Sequence, residues 1–379
     1  MLDYPTLKLI WWLLVGVLLI GFAVMDGHDM GVGTLLPFVG RDDVERRVII
    51  NTVGPHWDGN QVWFITAGGA VFAAWPLVYA AAFSGFYWAM LAVLWALFLR
   101  PTGFDFRSKV AHPAWRGAWD WGLFVGSAVP PIIFGVAFGN LLQGVPFRFD
   151  ANLVPHYTGT FLQLLNPFAL LAGVVSLAMI VFHGANYLMH RTEGAIHRRA
   201  RIASLAFGTL LIVTFALAVL WVLGGVGGYA VTAGADPAGP SNPLAKTVVA
   251  DTGAWLANYA RHPLTVLVPV AGFAGALAGL FCAWRGWTLP AFVASSVAMT
   301  GVIGTAAVSM FPFVMPSSSD PRSSLTVWDA TSSHMTLGLM FWAVVIFMPL
   351  IIFYTHWAYG VMSGKVTAAY IRANERSAY

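Results

Sequence analysis

The chain has 379 residues, of which 58% are hydrophobic and only 9% are charged, and its mean hydropathy is +0.73. This composition excludes a soluble or disordered chain and indicates an integral membrane protein. A single cysteine, Cys282, excludes an internal disulfide bond. The net charge of +4 gives no reason to expect a nucleic-acid partner, because in a membrane protein the distribution of charge over the loops carries the information. We also expect no cleavable signal peptide, since the first apolar segment continues into polar residues without a small-residue cleavage site.

Apolar segments long enough to cross a bilayer, about 20 residues each, recur along the chain. Nine are predicted to be transmembrane helices, at about residues 7–24, 49–75, 77–99, 119–142, 161–189, 202–223, 264–284, 290–311 and 334–357. The first is expected to run on toward Pro37, and Pro76 is expected to form the turn between the second and third. The predicted fold is an all-α membrane bundle, in which residues 1–379 form one polytopic domain with long outside loops at about 224–263 and 312–333.

Lysine and arginine are distributed unevenly over the predicted loops, and this distribution bears on the helix count. With nine helices and the C-terminus in the cytoplasm, 15 of these residues lie inside and 5 outside. An eight-helix alternative, in which the rather polar segment after residue 49 does not cross, gives 13 inside and 7 outside. Because cytoplasmic loops carry the excess of positive charge, nine helices are favoured, with the N-terminus outside and the C-terminus in the cytoplasm.

The stretch GPHWDGNQVW at residues 54–63 places a carboxylate, a histidine and two amides beside or inside an otherwise apolar segment. An ionised Asp on a membrane helix costs about 2.5–3.5 kcal/mol on insertion scales, so it normally faces protein or water. Asp58 is therefore predicted to mark an ion or proton route, about 13 Å inside a helix that enters near Ile49. The alternative is a structural Asp58, held by a neighbouring arginine or by backbone donors.

Further charged residues fall in the same, cytoplasmic part of the predicted topology, where they could form one inlet with Asp58. They are Asp26, Asp29, Arg100, Asp105, Lys109 and Asp120. Asp105 and Lys109 are four residues apart and would pair if this segment is helical. Because a buried guanidinium keeps its charge and needs a carboxylate partner, Arg100 is predicted to form a structural ion pair with Asp29 or Asp120.

Ten histidines raise the question of haem ligation, since a membrane bundle can hold haem between imidazoles of facing helices. No two histidines of the predicted spans share a helix at the separation of a bis-histidine pair, so hydrogen-bonded helix-end histidines are favoured. The glycine-rich segment 21–33 lacks the later ligands of a calcium loop, and it follows no strand, as a dinucleotide-binding fingerprint would. Its glycines are predicted to allow close helix packing.

Several long motifs together resemble subunit II of bacterial cytochrome bd-type quinol oxidases, and the likeness extends from the N-terminus to the C-terminal tail. The matching segments are residues 21–33, 54–76 and 100–109, VPP at 129–131, FGNLLQGVPF at 138–147, and FPFVMPSS at 311–318 through WDATSS at 328–333.

This resemblance implies an enzyme of the bacterial inner membrane that oxidises quinol, reduces dioxygen to water and generates a proton motive force. It implies that a partner, subunit I, carries haem b and haem d, and that this chain is a scaffold that is not catalytic alone. It also implies a cytoplasmic proton inlet, whose residues in the family match Asp58, Asp105 and Lys109. Small single-helix subunits and membrane lipids are further expected partners. Some members also hold a quinone in subunit II, for which no residues are assigned.

Two other functions remain open. A secondary transporter would use Asp58 as its coupling site, although no internal repeat is visible in the sequence. A purely structural subunit would stabilise its haem-bearing partner without moving protons, and would tolerate loss of the polar inlet residues.

Overall fold

The computed structural model describes residues 2–374 and 378–379 and confirms an all-α membrane fold. Its α-helices are α1 (Tyr4–Val39), α2 (Asp43–Val53), α3 (Trp57–Ala74), α4 (Pro76–Gly85), α5 (Tyr87–Phe106), α6 (Pro113–Gln143), α7 (Pro167–Arg191), α8 (Gly194–Gly224), α9 (Ala257–Arg261), α10 (Leu267–Arg285), α11 (Thr288–Met310), α12 (His334–Val361) and α13 (Ala368–Ala373). Three antiparallel two-stranded sheets lie in the connections: β1 (Phe147–Phe149) with β2 (Pro155–Tyr157), β3 (Gly228–Ala233) with β4 (Thr247–Asp251), and β5 (Phe313–Met315) with β6 (Leu325–Thr326).

Eight helices of the described chain are long and apolar enough to cross a membrane, namely α1, α5 to α8 and α10 to α12. The predicted number of nine is reached when α3 and α4, which meet at a bend of 118°, are counted as one broken span. α3 begins beside the last turn of α5, where Trp57 stacks on Phe104. It ends where the Ala74 carbonyl accepts a hydrogen bond from the N–H of Ser332, just before α12. α3 therefore leads from one end of the bundle toward the other.

The predicted helix at 49–75 is wrong in that it is not continuous. α2 ends at Val53, and α3 begins at Trp57. Between them lies Pro55, which has no N–H for the hydrogen bond of a continuous helix. Asp58 consequently occupies the first turn of a new helix, and not a position about 13 Å inside a continuous one.

Other helix boundaries follow from local chemistry and close packing. α1 runs without interruption to Val39, as expected, whereas the predicted helix at 77–99 is interrupted at Phe86, between α4 and α5.

α1 crosses α7 where Gly31 faces Gly184: a Cβ on Gly31 would lie 2.8 Å from the Cα of Gly184. Only glycines permit this approach, so the prediction that glycines of segment 21–33 serve close helix packing is confirmed.

α2 lies at the end of the bundle where α1 finishes. We call this the arginine-rich end, because the following arginines lie there: Arg41, Arg46, Arg107, Arg116 and Arg199. Asp42 caps α2 by accepting a hydrogen bond from the Glu45 N–H at 2.8 Å. The Glu45 carboxylate accepts two hydrogen bonds from the Arg199 guanidinium, at 2.8 and 2.7 Å. These bonds are the main cause that holds the pKa of Glu45 below its ordinary value.

The long connections predicted at 224–263 and 312–333 are ordered and contain β3 to β6. Lys246, whose side chain is only 1% exposed, pairs with Asp329 at 2.9 Å and donates to the carbonyls of Pro243 and Ser324. Burial lowers the pKa of Lys246, against the raising effect of the Asp329 charge. These contacts join the two connections into one layer at the end of the bundle opposite α2.

Candidate functional site

Asp58 and Asp105, two of the residues predicted to carry protons, lie near each other at the arginine-rich end. Trp57 and Phe104, the residues directly before them, stack with 5.1 Å between ring centroids and an interplanar angle of 18°. Both acids act on Tyr379, whose pKa is raised mainly by burial and further by the charges of Asp105 and Asp58. Both acids are exposed on the surface of the chain. The contact between α3 and α5 therefore brings two accessible carboxylates to the same part of the surface, near Tyr379.

Lys109, the third predicted proton-route residue, does not pair with Asp105 within the described part of the chain. α5 ends at Phe106, and a 3-10 turn follows over Arg107–Lys109. The α-helical register that brings residues i and i+4 together is therefore lost. Lys109 lies on the exposed surface beyond the two acids.

Arg100 pairs with Asp26, so the predicted pairing with Asp29 or Asp120 is wrong. Its Nη1 and Nη2 donate to the two oxygens of Asp26 at 2.9 and 2.5 Å, and both side chains are fully buried. The helix register explains the error: in the α5–α6 hairpin, Gly126 rather than Asp120 lies against Arg100. Asp29 lies about one turn beyond Asp26 on α1, where a residue of α3 binds it instead.

Asp120 does form ion pairs, but with other arginines. Arg107 donates to it from Nε at 2.6 Å and from Nη2 at 3.2 Å, and Arg46 donates to it from Nη1 at 2.8 Å. Arg107 also contacts Asp43 at 3.1 Å, and Asp43 accepts a hydrogen bond from Arg116. Asp120 thus joins α2, the end of α5 and α6 at the arginine-rich end.

Asp29 belongs to a buried polar cluster that the sequence did not predict. Its Oδ1 lies 3.1 Å from Nε2 of His28 and 3.6 Å from Nδ1 of His56. Its Oδ2 accepts a hydrogen bond from Asn60 at 2.7 Å. Oxygen and nitrogen atoms of these acidic and histidine residues lie within 4.8 Å of one another, a spacing that metal ligands also have. The adjacent pair His28 and Asp29 was the only sequence signal, because the third member comes from another helix.

Two tyrosines enclose this cluster. Tyr187 of α7 donates to the Thr52 carbonyl at 3.1 Å and accepts from Nε2 of His56 at 2.9 Å. Tyr359 of α12 donates to Oδ1 of Asn60 at 2.8 Å. The cluster is therefore surrounded by α1, α3, α7 and α12, close to the break between α2 and α3.

The three buried histidines of the described chain do not fit a haem, because an iron ligand needs an imidazole nitrogen that faces open space. His183 engages both ring nitrogens, with Ser295 Oγ at 2.7 Å and the Val24 carbonyl at 3.0 Å. Nδ1 of His28 faces the same carbonyl at 3.1 Å, and Nε2 of His56 is bound by a carbonyl and a hydroxyl. The remaining nitrogens of His28 and His56 both face one carboxylate.

Comparison with known proteins gives a consistent set of relatives. The sequence model of the family "Cytochrome bd terminal oxidase subunit II" matches residues 7–362. The chain is 55% identical over 379 residues to "Cytochrome bd-I ubiquinol oxidase subunit 2" of Escherichia coli K12, with 100% of both chains covered. It is 34% identical over 361 residues to "Cytochrome bd ubiquinol oxidase subunit 2" of Bacillus subtilis, covering 94% of this chain and 96% of that one. In fold it is similar to a chain of the bd oxidase from Geobacillus thermodenitrificans, with a TM-score of 0.70, 13% identity, and 93% and 97% of the chains covered.

Proposed function

The chain belongs to the cytochrome bd terminal oxidase subunit II family, and from this membership we propose how it serves the oxidase. Membership makes it a membrane-embedded subunit of a respiratory oxidoreductase complex that contains haem and has a partner subunit I. The names of its relatives indicate ubiquinol as the electron donor. The finer proposal is that this chain supports the haem-bearing partner, binds no haem itself and admits protons from the cytoplasm.

Haem b and haem d are proposed to reside in subunit I, where they supply the redox chemistry with dioxygen. The surroundings of the three buried histidines support this assignment, since each of their ring nitrogens faces a carbonyl, a hydroxyl, an amide or the Asp29 carboxylate. A large apolar surface is available for the partner, for small single-helix subunits and for lipids. On α12, for example, Leu337 is the one buried residue.

Asp58, Asp105 and Lys109 are proposed to form the entrance of a proton route, because reduction of dioxygen to water consumes protons. A carboxylate can accept a proton from water and release it to the next acceptor. The observation that carries this proposal is the pair of exposed acids, Asp58 and Asp105, held together by the stacked Trp57 and Phe104. Their exposure in this chain leaves them free to meet water or polar groups of the partner.

The orientation proposed for this route has the arginine-rich end in the cytoplasm and the N-terminus in the periplasm. This orientation is supported by the excess of lysine and arginine in the loops at that end, because positively charged loops are retained on the cytoplasmic side. Protons taken from the cytoplasm at this end would contribute to the proton motive force.

The test is oxygen consumption driven by quinol, measured per haem in membranes of matched haem content. Asp58→Asn keeps the shape of the side chain but cannot titrate, so turnover per haem should fall by about tenfold or more while haem content stays near normal. Lys109→Leu should have a milder effect, because bulk water can replace a group at the entrance. Asp251→Asn, which changes an exposed acid on β4, is the matched control and should retain full turnover.

The alternatives predict different results in the same experiment. If the subunit is purely structural, Asp58→Asn lowers the amount of assembled complex and leaves turnover per haem unchanged. If it is a secondary transporter, the chain expressed alone binds a solute and that binding depends on Asp58. Full turnover per haem in Asp58→Asn would contradict the proton-route proposal.

A further inference from the structure

His28, Asp29 and His56, which we call the buried triangle, lie behind the break between α2 and α3. The side chains of His28 and Asp29 are at most 1% exposed, and that of His56 is 5% exposed. His28 Nε2 and Asp29 Oδ1 lie 3.1 Å apart, yet neither atom has a hydrogen-bond partner in the described chain. Because buried polar atoms are rarely left unpaired, this contact requires an explanation.

The proton positions on the two imidazoles follow from their other partners. Nδ1 of His28 faces the Val24 carbonyl, which can only accept, so this nitrogen carries hydrogen. Tyr187 donates its own hydroxyl hydrogen to the Thr52 carbonyl, so its oxygen is an acceptor toward Nε2 of His56. Nε2 of His56 therefore also carries hydrogen, and in the neutral imidazoles the opposite nitrogens are bare lone pairs.

Both of these lone pairs lie near Asp29 Oδ1, and two of the three acceptor atoms, Nε2 of His28 and Oδ1 itself, have no donor in the described chain. Nδ1 of His56 receives a hydrogen bond from Asn60, as does Oδ2 of Asp29, but Oδ1 receives none. An ionised carboxylate facing two lone pairs is repelled, and a buried group in such a position becomes neutral instead. We propose that the buried triangle is a proton-binding site, in which Asp29 holds one proton on Oδ1 and shares it with His28.

The surrounding charges agree with one bound proton. The Arg100 guanidinium of α5 donates to both oxygens of Asp26 on α1, so it makes no hydrogen bond to Asp29. The groups that face the triangle from the other elements are His183, Tyr187 and Arg191 of α7, Asn60 of α3 and Tyr359 of α12. None of the hydrogen bonds of these groups reaches Asp29 Oδ1, so the proton is the positive charge that completes the site.

The triangle lies next to the proposed proton entrance in sequence and in space. His56 precedes Asp58 by two residues, and Pro55 and Asp58 on either side of it are exposed. A proton taken from water at this edge would reach Nδ1 of His56 when Asn60 withdraws its hydrogen bond, and would then pass to the carboxylate, with the reverse path for release. During turnover this proton would serve as a store behind the entrance, and that use rests on the proposed function. The presence of the proton on Asp29 does not depend on the proposed function.

The site is tested by infrared difference spectroscopy of the intact oxidase in H₂O and D₂O across a pH step. The wild type should show the C=O band of a protonated carboxylic acid that shifts in D₂O, and Asp29→Asn should lose it. Assembly of Asp29→Asn should be near normal, because the amide N–H donates where the acid O–H did. His190→Gln, which changes a histidine about two turns beyond His183 on α7 that contacts Thr288, is the matched control and should keep the band.

A second variant keeps the test decisive if Asp29→Asn fails to assemble. In His28→Gln the new amide N–H can donate to Oδ1, so an ionised carboxylate becomes tolerable and the acid band should be lost or weakened. An acid band that is unchanged in both variants overturns the proposal. So does a divalent metal bound in 1:1 ratio, found by elemental analysis of the purified oxidase and absent from Asp29→Asn. The turnover of Asp58→Asn tests the proton entrance independently of either result.

Discussion

The buried pair of Arg100 and Asp26 predicts an asymmetric response to mutation. In Asp26→Leu the guanidinium stays charged, because removing its proton at pH 7 would cost about 10 kcal/mol, or ~1.4 kcal/mol for each of about 7 pH units. Its Nε has no hydrogen-bond partner in the described chain, and the Trp57 ring, whose centroid lies 5.8 Å from the guanidinium carbon, cannot replace a carboxylate. The cost should therefore reach the about 3–5 kcal/mol that is typical when one partner of a buried ion pair is removed.

Arg100→Leu should be less harmful, because the orphaned Asp26 can take up a proton. At pH 7 this neutralisation costs no more than about 4 kcal/mol, ~1.4 kcal/mol for each of about 3 pH units. The double variant Asp26→Leu/Arg100→Leu removes both charges and should recover most of the loss, since apolar replacement of a whole buried pair is often neutral or stabilising. The expected order of stability is the double variant first, then Arg100→Leu, then Asp26→Leu.

The assay is the amount of assembled oxidase in membranes, together with the midpoint of thermal inactivation of the purified complex in detergent. Turnover per haem should stay near the wild-type value in whatever complex assembles, because the pair has a structural role. The reasoning is refuted if Asp26→Leu is no worse than Arg100→Leu, or if the double variant is as unstable as Asp26→Leu. Normal assembly combined with lost turnover in Arg100→Leu would also contradict a structural role.

Three further predictions concern packing, pH and topology. Gly31→Ala should lower the thermal midpoint by an amount equivalent to about 1–3 kcal/mol, because its Cβ would overlap α7, whereas Gly16→Ala, with open space around it, should not. The pKa of Glu45 is lowered in the folded chain, so its contribution is present above the ordinary carboxyl pKa and is lost as the pH falls through the folded value. The stability difference between wild type and Glu45→Gln should therefore shrink from pH 7 to pH 4, and a constant difference would contradict this. In a background without the native cysteine, Arg198→Cys should resist an impermeant thiol reagent applied from the periplasm while Asp251→Cys reacts; the opposite pattern would invert the proposed orientation.

The sequence predicted the membrane fold well because long apolar segments have few alternatives to the transmembrane helix. It predicted the breaks poorly, because hydropathy averages over them. At Pro55 and at Phe86 the helix is interrupted inside segments that read as single helices. The polar residues that argued against a span at residues 49–53 belong instead to α2, a short helix whose residues 47–53 are all buried.

The ion pairs show a second limit of sequence reasoning. That Arg100 needs a carboxylate follows from its fixed charge, but which carboxylate it contacts depends on helix register. Asp26 and Asp29 are separated by only about one helical turn, so their positions in the sequence do not show which of them contacts Arg100. On α6, the residue that lies against Arg100 is Gly126. Arg100 therefore faces the backbone of α6 there, and not the Asp120 side chain.

The buried triangle required a third kind of information, namely the direction of each hydrogen bond. A sequence shows that His28 adjoins Asp29, but it cannot show that the Val24 and Thr52 carbonyls fix the hydrogens of the two imidazoles on their far nitrogens. Once those positions are fixed, the count of donors and acceptors around Asp29 leaves two facing acceptors, Asp29 Oδ1 and His28 Nε2, without a donor in the described chain. The exposed acids at the entrance and the buried acid behind them then differ in one physical respect. Asp58 is exposed to water, whereas Asp29 is enclosed and, in our proposal, exchanges its proton through the triangle.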